Sequence, residues 1–232
     1  NIKSTGIAHS IGALTTTGSA TALDTVNITG DKDLTLAAAP TTNVEKIDAT
    51  GFTGKLIMTA GGADLLVLNG GDGNDTLFSG ANAVAATLVN AGKGDDTITV
   101  GANTDTLTLG DGKDTVSVTA LANIYRAQGD SIADFVSGTD SFKVGATIKG
   151  ATTATTLAVQ TITTGATLQA ALGNGTYATG DAAYVVAVNV TGASYNGTYL
   201  VLNNATAGYV DGADGVIKLT GVTTLTTADF VA

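Results

Sequence analysis

Aspartates recur at one position of a nine-residue pattern in the middle of the chain. The pattern reads GGDGNDTLF at 70–78 and returns in three consecutive units, AGKGDDTIT, VGANTDTLT and LGDGKDTVS, that fill 91–117. Each unit has glycine second, aspartate sixth and an aliphatic residue eighth. Calcium is bound by about six to eight oxygens, chiefly those of carboxylates and backbone carbonyls. The pattern therefore predicts turns that bind calcium.

The residue types predict how these turns are arranged. Glycines allow backbone with positive φ, so the first six residues of a unit form a turn, and the last three form a strand whose middle side chain faces inward. Two units make one coil, so residues 18 apart lie on the same side. Asp96 and Asp114 are 18 residues apart, and Asp75 and Asp96 are 21 apart, which implies a three-residue insertion within 79–90. We expect these three aspartates to stack in one column about 5 Å apart, where they repel each other unless a cation lies between them.

The opposite side of the coil is predicted to bind less calcium. Val84 occupies the place of an aspartate there, and Asp105 is the acidic residue that remains. Asp130, 16 residues beyond Asp114, is expected to cap the column. We expect roughly two or three ions, nearly all on the column. The candidate metal ligands are residues of the turns, namely Gly71, Asp72, Gly73, Asn74, Asp75, Gly92, Gly94, Asp95, Asp96, Asp105, Gly110, Asp111, Gly112, Asp114 and Asp130.

The units also have a simpler interpretation as surface hairpin turns, in which Asp-Gly pairs are common. Several units in phase, each with an aliphatic eighth residue, favour a true repeat. The consensus G-G-x-G-x-D-x-U-x, where U is aliphatic, resembles the calcium-binding repeat of the RTX family of secreted bacterial proteins. The resemblance implies a right-handed parallel β-helix or β-roll with calcium-binding turns, and export by a type I secretion machinery.

Residues 20–68 resemble degenerate coils of the same solenoid, with apolar residues at inward positions and glycines at corners. The predicted inward residues are Val26, Ile28, Leu34, Leu36, Val44, Ile47, Leu56 and Met58. The stretch VEKIDATGFTGKL at 44–56 resembles the β-strand repeats that precede the nonapeptides in RTX-type S-layer proteins. This resemblance implies that the solenoid begins well before the first complete repeat.

The rest of the chain departs from the nine-residue frame. The segment AQGDSIADFVSGTDSFK at 127–143 resembles the part that closes the roll in secreted RTX proteins. The last residues, LTTADFVA, resemble the uncleaved C-terminal signal of type I secretion substrates, and they also fit an ordinary last strand. Between these two segments the sequence predicts a short helix at 167–172, stopped by Gly173, and antiparallel strands at 182–190, 197–203 and 215–221.

These patterns predict an all-β chain in two parts. A parallel β-helix or β-roll is expected over 1–126, followed over 127–232 by a smaller β-rich region that closes the roll and carries the secretion signal. Threonine, valine and isoleucine favour strands, and glycine favours turns. The chain begins at Asn1 without methionine or a signal peptide pattern, and we interpret it as the C-terminal region of a longer protein.

Composition excludes several classes of partner and chemistry. The net charge of −10 disfavours nucleic acid and anionic membrane as partners, and the sequence has no apolar run of about 18 residues that would span a membrane. The chain has no cysteine, so it forms no disulfides. We expect calcium to stabilise the fold in their place.

No pattern in the sequence indicates catalysis. His9 is the single histidine, so a zinc motif of the H-E-x-x-H kind is impossible. The nucleophile motif G-x-S-x-G does not occur. Adjacent carboxylates such as Asp95 and Asp96 lie in predicted calcium turns, where a bound ion would prevent acid-base catalysis. We therefore expect a protein that is not an enzyme.

The sequence favours a calcium-dependent structural module of a secreted S-layer protein, which folds and self-assembles outside the cell. Its expected location is extracellular or at the cell surface. Its expected partners are copies of itself in a lattice or oligomer and the type I secretion machinery, with a cell-surface glycan as a further candidate. The alternatives are the C-terminal calcium and secretion domain of an RTX enzyme, such as a metalloprotease or lipase, and an RTX adhesin.

Overall fold

The chain packs as two compact units, Asn1–Val116 and Ser117–Ala232. The computed structural model describes residues 1–12, 23–37, 44–59, 67–80, 86–102, 104–120, 123–124, 129–145, 159–175, 183–189, 191–203, 209–210 and 214–231. The division predicted after residue 126 falls within 125–128, outside these described residues.

The first unit is a parallel β-solenoid built from short strands. The strands are β1 Ile2–Ser4, β2 His9–Ile11, β3 Leu23–Gly30, β4 Leu34–Leu36, β5 Val44–Phe52, β6 Leu56–Thr59, β7 Val67–Asn69, β8 Thr76–Phe78, β9 Leu88–Lys93, β10 Thr97–Thr99, β11 Thr106–Asp111 and β12 Thr115–Val118, and the unit boundary falls within β12. Odd-numbered strands pair in one sheet in the order β1-β3-β5-β7-β9-β11, and even-numbered strands pair in a second sheet. Each strand pairs in parallel with the strand one coil away, so the predicted all-β parallel solenoid is confirmed.

The core of the first unit is the line of inward side chains from both sheets. The eighth residues of the four nonapeptides, Leu77, Ile98, Leu107 and Val116, are buried. The eight inward residues predicted within 20–68 are buried as well. Because β-branched and other apolar side chains alternate with polar ones along each strand, one face packs inward and the other meets solvent. β1 and β2 lie within the solenoid predicted over 1–126, ahead of the coils that the sequence located individually from residue 20.

The second unit combines a mixed sheet, a separate parallel pair of strands and, among its described residues, one packed helix. Its strands are β13 Asp130–Ile132, β14 Ser141–Val144, β15 Val159–Ile162, β16 Ala183–Val188, β17 Gly197–Leu202, β18 Gly215–Leu219 and β19 Phe230–Val231. β16, β17 and β18 pair antiparallel, as predicted, while β13 joins β18 in parallel and β15 joins β16 in parallel.

Helix α1, Leu168–Gly173, extends one residue past the predicted helix and includes the glycine expected to stop it. The helix begins after Thr167, whose side chain accepts the Ala170 N–H at 3.2 Å and so satisfies one of the unpaired N–H groups at the helix start. Leu168 and Leu172 bury the apolar face of the helix against a cluster that includes Tyr199. In the described part of the chain, no helix combines the length and apolar character that crossing a membrane requires.

The C-terminus folds back as a strand. A 3₁₀ turn at Thr227–Asp229 leads into β19, which pairs in parallel with β14 and places Phe230 beside Phe142. The rings of Phe142 and Phe230 have centroids 5.7 Å apart, and Phe135 stacks on the other side of Phe142 at 4.6 Å. Aromatic pairs of this kind stabilise a core beyond the area they bury. The chain end is therefore an ordinary last strand of the second unit, which leaves a signal role open.

Candidate calcium-binding turns

The sixth position of each nonapeptide lies on an inward-facing line of the solenoid. Leu34 is in register with Leu56, and the pairings of the following strands place Leu56 beside Asp75 and Asp75 beside Asp96. The early coils thus use leucine where the later coils use aspartate. All of these side chains are buried, including Asp114 in the last nonapeptide. The predicted column of Asp75, Asp96 and Asp114 forms, and its carboxylates occupy core positions.

Each carboxylate of the column accepts a backbone N–H from the coil before it. Asp75 Oδ1 accepts from Leu56 N at 2.8 Å, Asp96 Oδ1 from Asp75 N at 2.7 Å, and Asp114 Oδ1 from Asp96 N at 2.8 Å. Asp75 Oδ2 accepts a further bond from Gly71 N at 2.9 Å. Among the described residues, Asp96 Oδ2 has no hydrogen-bond partner although the atom is buried. A buried oxygen without a partner is costly, so a ligand bound at Asp96 Oδ2 would stabilise the fold.

The electrostatics of the column oppose the charged state. Burial raises the pKa of Asp96 to about 8; the N–H of Asp75 opposes this shift, and the carboxylates of Asp75, Asp114 and Asp95 add to it. Burial likewise raises the pKa of Asp75 to about 6, against the N–H groups of Gly71 and Leu56. A desolvated carboxylate beside other carboxylates favours its protonated form. A proton or a bound cation would therefore stabilise the column.

Glycines bring the backbones of successive coils into close contact at these turns. Gly71, Gly92 and Gly110 form one line, and an added Cβ on Gly92 or Gly110 would lie 2.1 or 1.9 Å from the carbonyl oxygen of the glycine before it. Gly92 and Gly110 also have φ values of 113° and 99°, which L side chains rarely adopt. Gly73, Gly94 and Gly112 form a second line of the same kind. Both lines stack backbone carbonyls of successive coils at the turns that contain the aspartates, and carbonyl oxygens are among the ligands that calcium accepts.

Replacing Gly73 with alanine is expected to destabilise the first unit by about 1–3 kcal/mol, as overpacking does. The new Cβ would lie 2.3 Å from the backbone oxygen of Gly54, which cannot move aside without shifting a coil. Gly51→Ala is the matched control, because its Cβ would meet only the Thr29 methyl at 3.8 Å. Chemical denaturation in millimolar calcium measures both. Equal stability losses in the two variants would contradict the close stacking.

The other candidate residues of these turns are exposed at the surface. Asp72 forms an ion pair with Lys93 Nζ at 3.1 Å. Asn74 Oδ1 accepts from Asp95 N at 3.0 Å, and Asp95 Oδ1 accepts from Lys113 N at 2.9 Å. Fifth-position side chains thus join neighbouring coils outside the buried column. Asn74 and Asp95 hold the same position in two units of the sequence, where the pattern predicted metal ligation and not this contact between coils.

Asp111 is also exposed and lies in register with Lys93. Metal ligation by these exposed residues stays a prediction, as it does for the buried column.

On the opposite side of the coil, a hydroxyl group and a backbone N–H donate hydrogen bonds to the aspartate. Asp105 Oδ2 accepts from Ser79 Oγ at 2.6 Å and Asp105 Oδ1 from Thr87 N at 2.8 Å. Burial raises the pKa of Asp105, and these two donors oppose the shift. Val84, the predicted gap on this side, lies outside the described residues. Asp130 is buried in the second unit, and its predicted role as a cap stays a prediction.

The turns can bind calcium only if backbone carbonyl oxygens serve as ligands beside the carboxylates. Within the described ranges, no three histidine, cysteine, aspartate or glutamate side chains form a group able to hold an ion. An ion at the column would need carbonyl oxygens of the stacked glycines as well as carboxylates, a donor set that calcium accepts. The unpartnered Asp96 Oδ2 and the crowded glycine lines are consistent with such a ligand.

The chain carries RTX calcium-binding nonapeptide repeats. The family described as RTX calcium-binding nonapeptide repeat (4 copies) matches residues 67–83 and 87–116, which is 47 of the 232 residues. The matched segments contain Asp75, Asp96, Asp105 and Asp114, the sixth residues of the four units. None of the curated proteins compared with the chain matches it.

Proposed function

We propose that the chain is a calcium-dependent structural module of a secreted S-layer protein, which folds and self-associates outside the cell after type I secretion. RTX repeats suggest a secreted calcium-binding module. One observation carries the proposal further: Asp75, Asp96 and Asp114 form a buried column in which Asp96 Oδ2 has no partner among the described residues. A fold with such a column depends on a cation for part of its stability.

Calcium would be held at this column by Asp75, Asp96 and Asp114 together with glycine carbonyls of the same turns. The ion would supply the positive charge that the buried carboxylates lack. Extracellular calcium modules bind in the range of about 10⁻⁴ to 10⁻³ M, well above cytosolic calcium. The first unit would therefore be destabilised before export and would gain its full stability after it.

The coils that precede the repeats support a structural role. The segment that resembles S-layer repeats, 44–56, forms β5 and begins β6 within the same solenoid as the nonapeptides. Leu34 and Leu56 occupy the column position there, so these coils need no ion. A long stack of this kind presents flat, polar strand faces suited to self-association, and its net charge of −10 resists association until cations screen or bridge it.

Export and assembly are tested separately. Removing 220–232 is expected to abolish export by a type I machinery while the purified protein still binds calcium through its first unit.

Light scattering tests assembly: the full chain is expected to form oligomers or sheets in several millimolar calcium and to remain monomeric in excess chelator. A strictly monomeric protein in calcium would favour the alternative of a calcium and secretion domain from an RTX enzyme or adhesin. Unimpaired export of the truncated protein would remove the signal role of the chain end.

A further inference from the structure

The outer face of the odd-numbered strands of the first unit carries a row of side-chain amides. Inward residues of these strands, such as Leu68 and Val89, are buried, so the residues on either side of them point outward. The register of the parallel pairings puts one outward residue of each strand on the same line. At one end of the line, Asn27 Nδ2 donates to Asn1 Oδ1 at 3.2 Å. This amide row consists of Asn1, Asn27, Asp48, Asn69, Asn90 and Thr108.

A second line of outward residues lies beside the amide row, two residues earlier on each of β3, β5, β7, β9 and β11. Leu88 in this line is 44% exposed, and Val67 on the next strand is partly exposed. The face therefore combines a polar line with an apolar patch near its middle. This flanking row consists of Thr25, Lys46, Val67, Leu88 and Thr106.

The face made by the two rows carries no net charge. Lys46 and Asp48 are its ionisable residues, and Lys46 Nζ lies 2.7 Å from Asp48 Oδ2. The hydrogen bonds from Lys46 and Thr50 lower the pKa of Asp48 to about 2, against the effect of burial. The net charge of −10 arises elsewhere, for example at the exposed Asp72 and Asp111 of the turns. The chain as a whole would repel an anionic polymer, and the face offers no positive charge to attract one.

The dimensions of the face suit an extended chain better than a globular partner. Six strands about 4.8 Å apart give the amide row a length of about 24 Å, and two outward positions on a strand give a width of about 10 Å. The face is narrow because β7 spans only Val67–Asn69, with the crowded glycine line beginning at Gly71. Its area of roughly 240 Å² is well below the roughly 800 Å² per partner that a stable protein interface buries.

The groups along the face match the surface of a sugar chain. A side-chain amide both donates and accepts hydrogen bonds, as a sugar hydroxyl does, and Asn27 and Asn90 are exposed. Each sugar of an extended β-linked polysaccharide advances the chain by a distance similar to the strand spacing, so successive sugars would meet successive strands. The exposed Leu88 offers an apolar surface to the C–H faces of a sugar ring.

We propose that this face binds an uncharged, extended polysaccharide that lies along the amide row. Asn69 and Asn90 bond hydroxyl groups of successive sugars, and Leu88 packs against a ring beside them. The proposal goes beyond the structural role and depends on neither export nor self-association. A protein that stays monomeric in calcium but binds the polysaccharide would fail the assembly test and keep this site.

Electrophoresis of the folded protein through polysaccharide gels tests the ligand class. The full chain, in millimolar calcium, runs in native gels that contain hydroxyethylcellulose or glucomannan, which are uncharged and β-linked, or carboxymethylcellulose, which has a similar backbone with negative charges. The uncharged polymers are expected to slow the protein by about twofold or more, because one polymer offers many equivalent sites. Carboxymethylcellulose is expected to slow it little. Unchanged mobility in both uncharged polymers, or stronger retardation by the charged one, would overturn the proposal.

Variants of the face test the residues. The double variant Asn69→Ala, Asn90→Ala removes two amides and is expected to bind hydroxyethylcellulose about tenfold more weakly. Leu88→Thr keeps a strand-forming residue and is expected to weaken binding by about threefold. Thr97→Ala, Thr99→Ala is the matched control, since it changes two outward residues of β10 on the other sheet. Melting in millimolar calcium verifies that the variants fold. Equal retardation of the parent, Leu88→Thr and the double variant would overturn the site.

Nuclear magnetic resonance of the parent protein locates the contact without any substitution. On addition of cellohexaose, the side-chain amide signals of Asn69 and Asn90 are expected to shift. The signal of Asn203, which is buried in the second unit, is expected to stay in place. Shifts confined to residues outside the two rows would overturn the assignment.

A second copy of the chain is the other occupant that these experiments distinguish. Light scattering in several millimolar calcium compares the parent with the double variant Asn69→Ala, Asn90→Ala. Equal association of the two proteins, with weaker polysaccharide binding by the variant, supports the proposal. Loss of association in the variant with unchanged mobility in hydroxyethylcellulose would overturn it and make the amide row an interface between copies.

Discussion

In excess chelator at about pH 9, Asp96→Asn is expected to unfold at a higher temperature than the parent protein, and in millimolar calcium at a lower one. Without calcium, the substitution removes a buried charge whose pKa is raised to about 8, while the Asn oxygen can still accept the Asp75 N–H. With calcium, the substitution removes a charged ligand from the middle of the column. At 100 times the dissociation constant, a bound ion contributes about 2.7 kcal/mol, or roughly 5–11 °C for a protein of this size.

Asp105→Asn is the matched control for this reversal. Asp105 is also a buried sixth-position aspartate, but Ser79 and Thr87 donate to its carboxylate. We expect the calcium-induced rise in melting temperature to remain nearly intact in Asp105→Asn and to be largely lost in Asp96→Asn. Differential scanning calorimetry with and without calcium measures both differences. Similar losses in the two variants would contradict a one-sided calcium column.

The inward positions and the carboxylate column could be predicted from sequence because a solenoid coil contacts chiefly its neighbours. Local spacing then decides which side chains share a line, as with Met58, Leu77 and Ile98. The hydrogen bond from Asp75 N to Asp96 could not be predicted, because it depends on how closely one coil lies on the next. The spacing predicted repulsion among the carboxylates, and the structure adds that each one also accepts a backbone N–H from the coil before it.

Features that join distant parts of the chain left no local signal. Asp229 binds the turn at 136–140 across more than ninety residues of sequence, and no periodicity connects the two. β1 and β2 lie within the predicted solenoid, but they could not be located individually for a related reason. Each is a three-residue strand with few apolar side chains, and its pairing with β3 or β4 supplies the order that its own sequence does not specify.

Acid is expected to replace calcium as a stabiliser of the first unit. The pKa values of Asp96 and Asp75 in the folded protein, about 8 and about 6, lie above the usual 3.8. The folded state therefore binds more protons than the unfolded state between these limits. The stabilisation that these bound protons provide is complete below about pH 3.8. It is lost as the pH rises through about 6, where Asp75 ionises, and then through about 8, where Asp96 ionises. In chelator, the first unit should become more stable as pH falls from about 9 to about 5.

In calcium, the stability of the first unit should instead rise with pH. Calcium binds the ionised carboxylates, and protons compete with it. The difference in stability between calcium and chelator is thus expected to be largest near pH 9 and to shrink toward pH 5. Circular dichroism melts across this range measure both curves, with tyrosine fluorescence separating the second unit. Asp96→Asn should remove the step near pH 8 and leave the one near pH 6, because the Asp75 carboxylate still titrates. If the stability of the first unit in chelator does not change between pH 5 and 9, ionisation of the column's carboxylates costs no free energy of folding. That result would remove the physical reason for the column's dependence on a cation.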